Sequence, residues 1–127
     1  MKEPLFLDLD DILQIQADTI AQEGGTPGVR DIALIDSAVA APRASFGGAY
    51  LHTDLAAMTA ALMFALIGNH GFVDGNKRVG TLAALVFRAV NAIETFPAAD
   101  DLENVAMSVA RGEMSRDELT QWWRQQT

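Results

Sequence analysis

The chain of 127 residues contains no cysteine. That excludes disulfide staples and thiolate zinc sites, and it suits a reducing compartment such as the cytoplasm. Positive charge is also scarce: 9 Lys and Arg stand against 17 Asp and Glu, giving a net charge of −8. A nucleic-acid backbone would be repelled by that balance, so no direct, nonspecific nucleic-acid binding is expected. A signal-peptide start is missing too, because Met1-Lys2-Glu3-Pro4 leads into an acidic amphipathic segment. The longest apolar run, Leu55 to Gly68, includes Thr59 and stops about four residues short of the ~18 expected of a membrane span. It reads as a buried core helix, so no membrane role is expected and the cytoplasm is the default location.

What the sequence does have is apolar material in quantity. Half of the residues are hydrophobic and 20% are charged, the balance of a globular chain rather than a disordered one. The length suits one domain, 1–127, able to bury a core without staples. No internal repeat, linker or low-complexity segment interrupts it.

The pattern predicts an all-α domain of about six helices packed round two central apolar ones, with a short flap. Asp8 caps a first helix that runs to about Glu23 and carries Leu9, Ile12, Leu13, Gln16 and Ile20 as a largely apolar stripe, before Gly24-Gly25 ends it. Residues 24–30 are a loop by composition, and Asp31 starts a short helix to Ala41 that Pro42 stops. Residues 43–52 do not read as helix and suit a flap or short hairpin. Thr53 caps the first core helix, which runs to about Asn69, and a second runs from about Asn76 to Ala92. Asp100 or Asp101 opens a further helix to about Arg111. Ser115-Arg116-Asp117-Glu118 has the capping-box spacing for a last helix bearing Trp122 and Trp123. Adjacent tryptophans on a helix point about 100° apart, so one core cannot take both.

Between the two apolar helices lies the only stretch dense in chemistry: Asn69-His70-Gly71-Phe72-Val73-Asp74-Gly75-Asn76-Lys77-Arg78. Backbone N–H groups at a helix start attract anions, and Lys77 and Arg78 bring full positive charge to the same place. Merely solvated cations there would oppose the helix dipole, so an anionic ligand is the more economical explanation. Asp74 suits either a divalent cation bridging phosphate oxygens or a helix cap. An imidazole, with an ordinary pKa of about 6.5, is mostly neutral at pH 7 and can take a proton from an attacking hydroxyl, which His70 is placed to do. His52 lacks such company and reads as a flap surface residue. The glycine spacing, and the absence of Ser or Thr after Lys77, exclude a P-loop.

The run His70-Gly71-Phe72-Val73-Asp74-Gly75-Asn76-Lys77-Arg78 resembles the signature of the Fic/Doc superfamily, His-Pro-Phe-x-(Asp/Glu)-Gly-Asn-(Gly/Lys)-Arg. Lys77, where AMP-transferring members usually carry Gly, points to the Doc (death-on-curing) toxin branch. The short length, the Gly24-Gly25-Thr26-Pro27-Gly28 loop and the closing Gly112-Glu113-Met114-Ser115 stretch are similar to Doc as well. The resemblance implies His70 as general base toward a protein hydroxyl, Phe72 pinning the loop to the core, and Asp74 holding Mg²⁺. It implies an anion cradle at Gly75 and Asn76, including the Asn76 side chain, with Arg78 on nucleotide phosphate and Lys77 assisting.

By the same resemblance, the chain is a kinase toxin. It would move the γ-phosphoryl group of ATP onto a threonine of elongation factor Tu and halt translation, and an antitoxin of the Phd type would neutralise it. AMP transfer is the alternative; Thr81, where AMP-transferring members often place a second Arg, weakens it. A catalytically idle binding module is the other alternative, against which an intact His70, Asp74, Asn76 and Arg78 argue. Phe46 and Tyr50 suit either ordinary packing or a flap that adds a strand of the target. Finally, Thr19-Ile20-Ala21-Gln22-Glu23-Gly24 fits the (Ser/Thr)-x-x-x-Glu-(Gly/Asn) pattern by which some Fic proteins block their own Arg. It falls on the helix equivalent to Doc's first, where inhibition comes from the antitoxin instead.

Overall fold

In the computed structural model, residues 3–126 are described. Met1 and Lys2, the first residues of the start read above as unlike a leader, lie outside them, as does Thr127. The helices are α1 (Leu9–Glu23), α2 (Ile32–Ala40), α3 (Leu55–Asn69), α4 (Asn76–Val90), α5 (Ala99–Ala110) and α6 (Arg116–Arg124). A single 3-10 turn, Ala41–Arg43, follows α2, and two short strands, β1 (Ser45–Phe46) and β2 (Ala49–Tyr50), pair antiparallel as the flap. The expected six-helix, all-α architecture is the one that forms.

α3 is the axis. It packs against α2, α4, α5 and α6, which is why its apolar residues surround the helix instead of forming one stripe. Ala57 through Met63 are buried without a break, as are Leu66 and Ile67. Two core clusters share this rod. Met58, Leu62 and Leu66 face Ile12 of α1, Ile35 of α2 and Phe87 of α4, whereas Met63 and Ile67 face Leu102 of α5 and Leu119 and Trp123 of α6.

Local chemistry sets the helix ends. Asp8 and Ser115 each make a full capping box, with Asp11 and Glu118 respectively. α3 is capped by Asp54, one residue after the expected Thr53: the Asp54 carboxylate accepts from the Ala57 amide at 2.8 Å and pairs with Arg124 at 2.9 Å. α5 opens at Ala99 behind Pro97, so Asp100 and Asp101 fall in its first turn, where the dipole favours them without a side-chain cap. α4 ends at Val90, two residues early, because Asn91 turns its amide onto the Phe87 and Leu5 carbonyls and Ala92 adopts a positive φ of 69°.

Contrary to the expectation that one core cannot take both, the two tryptophans pack on the same core cluster. Trp123 is fully buried and Trp122 is half-buried at its edge, ring centroids 4.8 Å apart. Over Trp123 lies Arg88, itself buried, with its guanidinium carbon 4.7 Å from the ring centre and its Nη2 donating to the Gln126 carbonyl at 3.0 Å. Burial pushes the Arg88 pKa down from its ordinary value.

Candidate active site

The α3–α4 connection is six residues long and is held from three sides. From below, Phe72 drops into the first core cluster and is 2% exposed, so the ring pins the middle of the loop as expected. From within, the Asn76 side chain closes the turn: its Oδ1 accepts from the Phe72 amide and its Nδ2 donates to the Phe72 carbonyl, both at 3.0 Å. Both ends of that carboxamide are therefore occupied by backbone, and Asn76 shapes the cradle rather than lining it with a free side chain.

The third support comes from residues 24–31. Val29 and Phe72 form an antiparallel bridge, the Val73 amide donates to the Gly28 carbonyl at 3.1 Å, and the Arg30 and Asp31 amides both donate to the Gly71 carbonyl at 2.8 and 2.9 Å. Asp74 is clasped at the far end, one carboxylate oxygen accepting from the Thr26 amide at 3.1 Å and the other from Gly75 at 2.9 Å. Gly25 allows this approach: its φ is +114°, and a Cβ there would stand 2.8 Å from Asp74 Oδ2. Gln16, buried on the apolar stripe of α1, reaches the Asp74 carbonyl at 3.4 Å.

Gly71, where the family pattern has Pro, is held by contact with α2. An added Cβ would meet Ile35 Cγ1 at 2.4 Å and the Asp31 carbonyl at 3.3 Å. Gly71→Ala is therefore expected to destabilise the fold by about 1–3 kcal/mol, as overpacking does. Thermal unfolding of the variant checks this; an unchanged midpoint would mean that Ile35 yields freely.

The functional groups stand on this frame. His70 ends α3 in the left-handed conformation (φ 51°, ψ 47°), is exposed, and makes no ring hydrogen bond among the described residues. Gly75 precedes α4 with φ 80° and gives no side-chain cap, so the first amides of α4 have no intrahelical partner and remain available to an anion. Lys77 and Arg78, in that first turn, help to line a cleft of about 250 Å³ between α4 and α5, with Thr81, Leu82, Leu85 and Leu102 among its other walls. Thr81 bonds its hydroxyl back to the Lys77 carbonyl at 2.9 Å.

The model of the Fic/DOC family fits residues 6–88. The chain is 42% identical over 89 residues to "Toxin Doc" of Mycolicibacterium smegmatis, covering 70% of this chain and 66% of that protein, just under two thirds of its length. It is 26% identical over 106 residues to "Protein kinase doc" of Escherichia phage P1, covering 84% of this chain and 82% of that one. The chain belongs to the Doc branch of the Fic/Doc family.

Within that family the segment 19–24 can now be placed. Glu23 Oε2 lies 3.2 Å from Arg78 Nε, so the acid of the pattern does reach the Arg78 guanidinium. Thr19 does not join it, since its hydroxyl bonds back to the Ile15 carbonyl at 2.8 Å. The pair is about half exposed on both sides, and such surface pairs contribute about 0–1 kcal/mol. Glu23→Gln is accordingly expected to tighten ATP binding by no more than several-fold in titration. A gain of a hundredfold or more would show a strong internal block.

Asp74 is the one site carboxylate in the Fic/Doc loop, and no group of three His, Cys, Asp or Glu that could hold a metal occurs among the described residues. That donor set fits Mg²⁺ brought with a nucleotide, which takes one or two carboxylates plus phosphate oxygens and water, rather than a dedicated protein cage. A cavity of about 680 Å³ lies elsewhere, between α6 and the flap base, and includes His52, Arg116 and Arg124. His52 is half-buried there rather than a plain surface residue, and desolvation, with Arg116 nearby, lowers its pKa. Nothing in that cavity matches the amide cradle and its flanking cations. No helix among the described residues is long and apolar enough to cross a membrane.

Sequence reasoning did not find the 24–31 support, and Arg30 and Gln16 in particular. A polar Gln on the core-facing stripe of α1 was the one available signal.

Proposed function

We propose that this chain is the toxin of a toxin–antitoxin pair, a kinase that phosphorylates a Ser/Thr hydroxyl of a translation factor, elongation factor Tu, and so halts translation. Its inhibitor would be an antitoxin of the Phd type. The observation that carries the reading is the uncapped start of α4, with His70 and Asp74 on the loop before it and Lys77 and Arg78 in its first turn. The names of the two relatives, a toxin and a protein kinase, support the same class.

In the proposed reaction His70 accepts the proton of the target hydroxyl. The hydroxyl oxygen forms a bond to the γ-phosphorus of ATP, the bond from that phosphorus to the β–γ bridging oxygen breaks, and ADP leaves with that electron pair. Amides of the α4 start, with Lys77 and Arg78, share the charge that develops on the phosphate oxygens. Asp74 would hold Mg²⁺, which supplies further neutralisation of phosphate charge. The cleft beyond Lys77 and Arg78, with leucines on both walls, suits the less polar part of the nucleotide.

Incubating elongation factor Tu with the toxin and ATP labelled on either the γ- or the α-phosphate tests this. Label from the γ position only is expected. Label from the α position would assign AMP transfer, and label from neither would leave the fold an idle binding module.

A further inference from the structure

We propose that Arg30 is the residue that positions His70, acting as a guanidinium cap on the end of α3. This rests on the reading of His70 as the base. His70 occupies a left-handed backbone conformation that α-helices usually reserve for Gly or Asn at this place. Histidine tolerates this region better than most side chains, and Arg30 braces it there from outside the helix. Arg30 Nε donates to the His70 carbonyl at 2.6 Å, and its Nη2 donates to the Asn69 carbonyl at 3.2 Å. The main-chain amides of Arg30 and Asp31 take the next carbonyl, Gly71. Three successive carbonyls, 69 to 71, are thus bound by one two-residue stretch.

The division of labour matters. The bonds to Gly71 come from backbone and survive any substitution at 30 except proline, so the pairing of residues 24–31 with the active loop persists without the guanidinium. The bonds to Asn69 and His70 come from the side chain alone. They need two N–H groups at fixed angles, which a planar guanidinium provides and an ammonium does not. A cation at a helix C-terminus also complements the dipole. Loss of the Arg30 side chain therefore frees the His70 backbone while leaving the fold in place, and the imidazole no longer meets the hydroxyl in one geometry. Misplacement of a reacting group by about 1 Å can slow a reaction by about a hundredfold.

The test uses the full chain with Arg30→Ala and Arg30→Lys. In both, kcat for phosphoryl transfer is expected to fall by about 10- to 100-fold with KM for ATP within about twofold of the parent. Added methylguanidine should restore part of the rate to Arg30→Ala and none to His70→Ala. Arg30→Ala combined with His70→Ala should be no slower than His70→Ala alone, because Arg30 works through that side chain. Independently of activity, the His70 Cα and Cβ chemical shifts should leave the left-handed range in Arg30→Ala. Unchanged His70 shifts overturn the proposal, as does a parental kcat in Arg30→Ala or an additive loss in the double variant. A parent chain that transfers no phosphoryl group, yet whose His70 shifts move in Arg30→Ala, would sink the kinase reading and leave the cap standing.

Discussion

His70→Ala is expected to slow phosphoryl transfer by about 10²–10⁴-fold, the usual contribution of a positioned general base. Nucleotide affinity should change little, because the groups proposed to take the phosphates sit at the other end of the loop, in the first turn of α4. The ring makes no hydrogen bond among the described residues, and the backbone keeps its positive φ with alanine in place, so stability is expected to change by no more than about 1–2 kcal/mol. A single-turnover assay beside an ATP titration separates the two effects. Near-parental transfer would remove His70 from the chemistry, and a parallel loss of affinity would move it to binding.

Phe72→Ala is expected to act in the opposite way, through stability. The ring is almost fully buried in the cluster shared by α1, α2, α3 and α4. Truncating a buried Phe to Ala costs about 3–5 kcal/mol, which for a chain of this length lowers the unfolding midpoint by roughly 10–20 °C. Activity at low temperature should fall as well, since Asn76 hangs the cradle on the backbone of that same residue. Calorimetric unfolding measures the first effect. A midpoint lowered by only a degree or two would mean that the loop is held by its hydrogen bonds and the 24–31 segment alone, not by the core.

Much of this could be read in the chain, for identifiable reasons. α3 and α4 are long apolar segments with a charged break between them, and such elements are specified locally. The Ser115–Glu118 box and the Asp8 cap form within one turn and need no tertiary partner. Phe72 was legible through the resemblance, which implies that its ring pins the loop to the core, and the ring is buried there. Thr53 and Asp54 are both capping residue types, however, and only the folded chain shows that Arg124 favours the second. The support from residues 24–31 was illegible because antiparallel bridging between two loops 40 residues apart leaves no periodicity in either. In the sequence Arg30 is the last residue of a stretch that reads only as a loop, and the folded chain alone puts its guanidinium on the carbonyls of Asn69 and His70. The Glu23–Arg78 pair lay between: a short pattern marked the acid and an arginine partner, but only the packing of α1 beside α4 showed that the two meet without Thr19.

Titration of ATP into the protein, with and without Mg²⁺, and repeated on Arg78→Ala, tests the nucleotide seat most directly. The account predicts saturable binding that requires the metal and is weakened at least tenfold by loss of the Arg78 guanidinium, a charge-assisted contact to phosphate. Absence of saturable binding, or binding indifferent to both Mg²⁺ and Arg78, would contradict it.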